Sequence, residues 1–187
     1  QCPGGLGCGQ FSPIRDKVLK LMQFDEMVRA RRSIRGFKKD PVPRQVLEEI
    51  VDLATGAPSS MNTQPWYFHI VTGEPLDRIR QGNTERTLAG VQPSREIPMH
   101  GGFRQFDAPV SIVVTYDKSL EPGATVAHFD LGAVTYGLVL AAWSRGLGSV
   151  INGQGIMQSP VVREHAQIPD DQVIMTCVAM GYPDDSF

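Results

Sequence analysis

The chain has 187 residues, 41% hydrophobic and 20% charged, with a formal net charge of −2. Such a composition excludes intrinsic disorder, and the 19 glycines follow no three-residue period, which excludes collagen. The 18 basic and 20 acidic residues give no global field for nucleic acid, although a local anion site stays open. A domain of this size buries roughly 70% of its unfolded surface, so it can hold a core without staples.

The charge is uneven. Residues 15–39 carry nine basic and three acidic side chains, centred on one short cluster. Three cysteines, Cys2, Cys8 and Cys177, make neither a disulfide framework nor a metal motif, and Cys177 in its apolar run reads as a small buried hydrophobe. The histidines at 69, 100, 128 and 165 lack zinc-ligand spacing and read as surface or strand residues. Residues 1–10 hold no apolar signal-peptide core, and the apolar-rich stretch 131–143 is too short to span a bilayer, so a cytoplasmic location is expected. The chain does not begin with Met, which is read as a fragment or a processed end.

Residues 1–13, rich in Gly and Cys, are expected to be a flexible end, with 14–187 forming a single domain. A basic helical stretch with Val18, Leu19, Leu21 and Met22 as its apolar side follows, and a helical turn starts near Phe24 with Asp25 as N-cap. The spacing of Val46, Leu47, Ile50, Val51, Leu53 and Ala54 predicts a helix over 44–56, stopped by Gly56. The β-branched and aromatic run 66–72 predicts a strand. A helix is expected over 75–82, then a long polar surface excursion over 83–107. Strands are expected at 109–116, 149–152 and 173–180, and a short helix at 159–165 with Pro160 at its first turn. The longest helix, 127–145, is apolar around most of its circumference and is expected to be buried nearly all round, in a core or an interface. Helices alternating with few, unevenly spaced strands point to an α+β sandwich.

Three segments have the composition of a site. Arg31-Arg32-Ser33-Ile34-Arg35 places three guanidiniums and a hydroxyl together, and guanidiniums bind phosphate bidentately. The ordinary alternative is a solvated basic face balancing the acidic helix around 48–52. Ala57-Pro58-Ser59-Ser60-Met61-Asn62-Thr63-Gln64-Pro65-Trp66 joins a helix stop to a strand, and its amides can pair with the edge of a heteroaromatic ring. The ordinary alternative there is a polar connection. Residues 146–155 hold four glycines after the apolar helix, a composition that lets backbone N–H groups approach a ligand. A helix cap and turn account for Gly146 and Gly148 but do not require Gly153 and Gly155. No nucleophile elbow, P-loop or Rossmann glycine pattern is present, which favours a binding protein or an enzyme whose cofactor carries the chemistry.

In order and spacing these segments resemble the FMN-dependent nitroreductase family, over roughly residues 24–183. The arginine start and the P-S-S-x-N-x-Q-P-W loop together are specific. The resemblance implies an α+β fold with a central mixed or antiparallel sheet flanked by helices, an intertwined homodimer, and two FMN sites at its interface. It implies that Arg31, Arg32 and Ser33 hold the FMN phosphate with Arg35 in support. Pro58, Ser59 and Ser60 would come from the partner subunit along the flavin ring, and Asn62 and Gln64 would bond ribityl or ring. Ile151, Asn152, Gly153, Gln154 and Gly155 would pass the N5 side, with an N–H near Gly153 donating there. NAD(P)H would be the electron donor, nitroaromatics or quinones the acceptors, and the kinetics ping-pong. His100, Phe103, Arg104 and Phe106 are expected on the acceptor side. Family members often continue past the last strand with an arm that wraps the other subunit and commonly supplies a further basic residue to the phosphate. The sequence given stops at Asp184-Asp185-Ser186-Phe187, so the expectation is either a weaker site and a looser dimer, if that is the natural end, or a further phosphate ligand beyond it, if it is not. Reductive dehalogenation, enone reduction, a non-catalytic flavin-binding or redox-sensing role, and a flavin-free module for phosphorylated ligands remain alternatives.

Overall fold

The computed structural model describes residues 24–91 and 102–184. The expected flexible end, the basic helical stretch after it and His100 lie outside these residues.

Among the described residues, five α-helices and four strands follow the predicted order. Helix α1 (Phe24–Ala30) carries Asp25 and Glu26 in its first turn and Arg29 in its last. Asp25 is inside the helix rather than its cap, where its charge complements the dipole. Helix α2 (Arg44–Thr55) starts at Pro43 and buries Leu47, Ile50 and Ala54. Leu53 of the predicted apolar set points outward and is 52% exposed.

Strands β1 (Trp66–Thr72), β2 (Val110–Asp117), β3 (Gly148–Ile151) and β4 (Gln172–Gly181) form one sheet in the order β1-β2-β4-β3. Every pairing is antiparallel. The alternation of β2 and β4 feeds two cores. Ile112, Val114, Tyr116, Val178 and Met180 pack with α2 and with Leu131, Val134 and Leu138 of α4 (Ala124–Ser144). Val113, Ile174 and Cys177 face the other way, against Leu76 and Ile79 of α3 (Gly73–Leu88) and Val162 of α5 (Ser159–His165). The result is helices on both faces of a small sheet, the α+β sandwich expected.

Two elements depart from the sequence reading. Helix α3 runs on to Leu88, so the first part of the expected excursion is helical. Its inward apolar residues end at Ile79, after which the buried positions are Arg80 and Asn83, so hydrophobic periodicity stops before the helix does. Helix α4 is not buried all round: Val126, Phe129 and Tyr136 are 53%, 80% and 42% exposed on its outer side. Together with the 3-10 turn before it, α4 forms a 27-residue apolar helical stretch, long enough to cross a membrane by length and composition alone. Its inner face packs against the sheet and α2. At Gly137 a Cβ would stand 3.2 Å from Ala54 Cα, so glycine lets the two helices approach closely.

His69 in β1 bonds Gln172 Oε1 at 2.8 Å, and His128 in α4 bonds the Tyr116 hydroxyl at 3.0 Å. His69 is the strand residue expected, whereas His128, half-buried in a helix, is neither a surface nor a strand residue.

Candidate functional site

The chain leaving α1 runs extended along the outer edge of β3. Ser33 forms a parallel bridge to Ser149, and Ile34 N–H donates to Ser149 O at 3.0 Å. At Gly148 a Cβ would meet Ile34 at 2.8 Å, so only glycine admits this approach. The strand edge thereby lines up Arg31, Arg32 and Arg35, of which Arg32 and Arg35 are exposed and Arg31 is half-buried. Among the described residues no carboxylate pairs with any of the three. The acidic face of α2 is engaged elsewhere, Glu48 with Arg44 at 2.7 Å and Glu49 with Arg145 at 3.1 Å. The cluster is therefore an uncompensated patch of positive charge.

Beside it, β3 ends in the glycine-rich turn. Asn152 Oδ1 accepts from Gln154 N–H at 3.1 Å and Gly155 N–H at 3.3 Å. The Gly155 carbonyl accepts from Asn83 Nδ2 at 3.0 Å and Gln105 Nε2 at 3.4 Å. A Cβ at Gly155 would lie 2.7 Å from Gln105 Cγ and 2.8 Å from Cys177 Sγ, which is why glycine stands there. Asn83 Oδ1 and Gln105 Oε1, both on fully buried side chains, have no hydrogen-bond partner. Cys177 closes the floor, its thiol donating to Asn152 O at 3.0 Å, and burial pushes that thiol up to about 12 against the opposing hydrogen bond of Ser111.

The turn over 102–107 closes one side. Gln105, Phe106 and Asp107 adopt left-handed φ values of 53°, 56° and 51°, a run that non-glycine residues hold only when their surroundings enforce it. Arg80 supplies the enforcement, donating to Arg104 O at 3.1 Å and to Ala108 O while paired with Asp77 at 2.7 Å. Burial opposes the charged form of Asp107, but the hydrogen bond and charge of Arg104, with Arg80 and Lys39, outweigh it and hold the carboxyl below its ordinary range. The Arg35 guanidinium sits 5.9 Å from the Phe106 ring centroid, joining this turn to the arginine cluster.

The Pro58–Gln64 loop lies elsewhere. Met61, Asn62 and Gln64 hold left-handed φ values of 51°, 57° and 45°. Gln64 N–H donates to Ser59 Oγ at 3.0 Å, and Ser60 N–H donates to Asp130 Oδ2 at 3.0 Å. Asp130 is 4% exposed on α4. A cavity of about 270 Å³ separates this loop from the start of α4, with Ser60, Thr63, Val126 and Asp130 on its walls. Ser60, Asn62 and Gln64 are exposed.

The structure thus brings Arg31–Arg35 together with 151–155 and with Phe103, Arg104 and Phe106, but not with 58–64. That loop enters β1 at Trp66, whereas Ser149 is level, through Met180 and Val110, with Thr72 at the other end of β1. The two lie on opposite edges and opposite ends of the sheet, about 14 Å across and about 20 Å along the strands. The sequence reading missed Asn83, Gln105 and Asp130. Asp130 had a signal, as the one acidic residue between Ala124 and Ser144. Asn83 and Gln105 stood in the segment read as a surface excursion and had none.

A model of the Nitroreductase family matches residues 28–182. Nitroreductase NfnB of Mycolicibacterium smegmatis is 37% identical to this chain, covering 87% of it and 83% of that protein. Nitrobenzene nitroreductase of Ectopseudomonas oleovorans is 30% identical, covering 87% of each. Among solved structures, a variant of the FMN- and NADPH-dependent nitroreductase NfnB from Sphigopyxis sp. strain HMH has a TM-score of 0.79 at 26% identity, covering 89% of this chain and 90% of that one. With the family match spanning most of its length and the fold shared across it, the chain belongs to the Nitroreductase family.

Proposed function

We propose that the chain is one subunit of an FMN-dependent oxidoreductase that uses NAD(P)H to reduce nitroaromatic or quinone-like acceptors, with each flavin site shared between two copies. The named relatives, a nitrobenzene nitroreductase and an FMN- and NADPH-dependent nitroreductase, support the activity and the cofactor. The residues present fit such a group. Three guanidiniums that meet no carboxylate among the described residues, with the Ser33 hydroxyl, suit a phosphate dianion. The buried acceptor Asn83 Oδ1, left without a donor, marks the same cradle as polar.

In this reading Arg31, Arg32 and Ser33 bind the phosphate, and Arg35, braced on Phe106, supports them. Residues 151–155 would line the flavin, with a backbone N–H near Gly153 as the donor it would meet. Pro58, Ser59 and Ser60 of a second copy cover the ring, and Asn62 and Gln64 orient ring or ribityl chain. When bound, the flavin supplies two-electron hydride transfer at N5. The turn carrying Phe103, Arg104 and Phe106 confines the position that donor and acceptor occupy in turn, which gives ping-pong kinetics.

The observation that carries the shared site is the separation of 58–64 from the arginine cluster within one chain. The outer stripe of α4, with Val126, Phe129 and Tyr136 exposed, supplies an apolar face for the second copy. Subunit complementation tests it. R31A/R32A chains and N62A/Q64A chains should each lose FMN affinity as homodimers. A mixed dimer should regain one intact site, and so half the FMN stoichiometry. A mixed dimer that binds no more FMN than either parent contradicts the shared site.

A further inference from the structure

We infer that Asn152 is a positioning residue whose single carboxamide fixes the acceptor-side turn to the glycine-rich turn. The functional meaning of the two turns rests on the reading proposed above; the hydrogen bonds do not. Asn152 is 4% exposed, so its side chain serves the protein interior rather than a ligand. Its Oδ1 accepts from Gln154 and Gly155 N–H, while its Nδ2 donates to Gly102 O at 2.8 Å. The neighbouring Gln154 Oε1 accepts from Gly102 N–H at 2.5 Å. Both polar groups of the Gly102 residue are therefore held by side chains of the glycine-rich turn.

The arrangement leaves no room for another residue at 102, since a Cβ there would stand 2.8 Å from Asn152 Oδ1 and closer still to Gln154 Oε1. It is also anchored from beneath. Asn152 N–H donates to Cys177 O at 2.7 Å, and the Cys177 thiol donates back to Asn152 O. The buried strand β4 thus holds Asn152, and Asn152 holds two turns. One of them carries Phe103, Arg104 and Phe106 and keeps three left-handed residues in a conformation that only its surroundings sustain. Small misplacement of a substrate-positioning element costs rate steeply, so the Asn152 amide sets where an acceptor rests against the glycine turn.

Two substitutions separate its two functions. Asn152→Ala removes both. Asn152→Ser keeps an oxygen able to accept from Gln154 and Gly155 N–H, but its hydroxyl, one bond shorter than the Asn152 amide nitrogen, does not span the distance to Gly102 O. The measurements are amide hydrogen exchange on the FMN-free chain, FMN affinity by fluorescence quenching, and KM and kcat for nitrobenzene with NADPH. The alanine variant should exchange faster at Gly102, Gln154 and Gly155, bind FMN more weakly, and raise the nitrobenzene KM roughly tenfold. The serine variant should keep parental exchange at Gln154 and Gly155 and near-parental FMN affinity. It should still exchange faster at Gly102 and show the raised KM, with kcat little changed. Serine behaviour equal to alanine in all readouts, or both variants within about twofold of the parent, overturns the inference. If the alanine variant does not fold, the serine variant alone decides by the same readouts. If the parent binds no FMN, the functional reading fails, while exchange at Gly102, Gln154 and Gly155 still tests the clamp.

Discussion

Ser60 N–H donates to Asp130 Oδ2 at 3.0 Å, tying the connection before β1 to the second turn of the apolar helix α4. The bond explains why a buried carboxylate stands in an otherwise apolar helix: it holds a loop whose backbone is strained at Met61, Asn62 and Gln64. Asp130→Ala leaves the Ser60 donor without its acceptor, at a cost of about 1–3 kcal/mol. Urea unfolding should show that loss, together with weakened FMN binding, while Asp130→Asn, which retains an oxygen acceptor, stays nearer the parent. Equal stability of the alanine variant and the parent contradicts the role.

The arginine cluster is predicted to act by charge and by directed donors. Arg31→Ala and Arg32→Ala should each weaken FMN binding roughly tenfold to hundredfold, as loss of a charge-assisted hydrogen bond implies. The deficit should shrink as salt rises, more for the exposed Arg32 than for the half-buried Arg31. Fluorescence titration at two ionic strengths reads both effects. Arg44→Ala is the control, since that guanidinium is already paired with Glu48 at 2.7 Å.

The outer stripe of α4 gives an assembly prediction. Phe129 is 80% exposed, and Phe129→Glu places a charge in the middle of the proposed contact between copies. Sedimentation velocity should show a dimeric parent and a monomeric variant, with FMN lost from the monomer. A parent chain that sediments as a monomer at micromolar concentration sinks the shared site.

Cys177 gives a pH prediction. Burial raises its thiol from 9.0 to about 12, so the folded chain holds it protonated at neutral and mildly alkaline pH. Iodoacetamide at pH 8 should leave the Cys177 peptide unmodified in the folded protein and label it after unfolding, as read by mass spectrometry. Because the folded value is the higher one, the stabilisation is fully present below 9.0 and is lost as pH rises toward about 12. Labelling of folded Cys177 at pH 8 as fast as of the unfolded chain contradicts the burial.

Element order was legible in the sequence because each strand and most helices carry their own apolar period. The strand at 66–72 and the helix at 159–165 match the structure at both ends. Helix α3 shows the limit: past Ile79 its inward face is made by Arg80 and Asn83, and hydrogen bonding gives no periodic hydrophobic signal. The outer side of α4 shows another, since Val126, Phe129 and Tyr136 carry the same apolar signature whether they meet a core or a second chain. The arginine cluster and the glycine turn were recognisable by composition and family resemblance. Their meeting depends on the Ser33–Ser149 bridge, which no local pattern encodes. The same holds for Asn152: the resemblance put it in the run expected to pass the flavin, and only the fold shows its amide turned inward onto Gly102.

The most direct test of the central claim is an anaerobic stopped-flow titration of the FMN-loaded protein. NADPH or NADH should bleach the flavin absorbance, and nitrobenzene added after the oxidised nicotinamide has left should restore it, with parallel double-reciprocal lines in the steady state. A preparation that cannot be loaded with FMN, or whose bound flavin is neither bleached by either nicotinamide nor reoxidised by any nitroaromatic or quinone, contradicts the account.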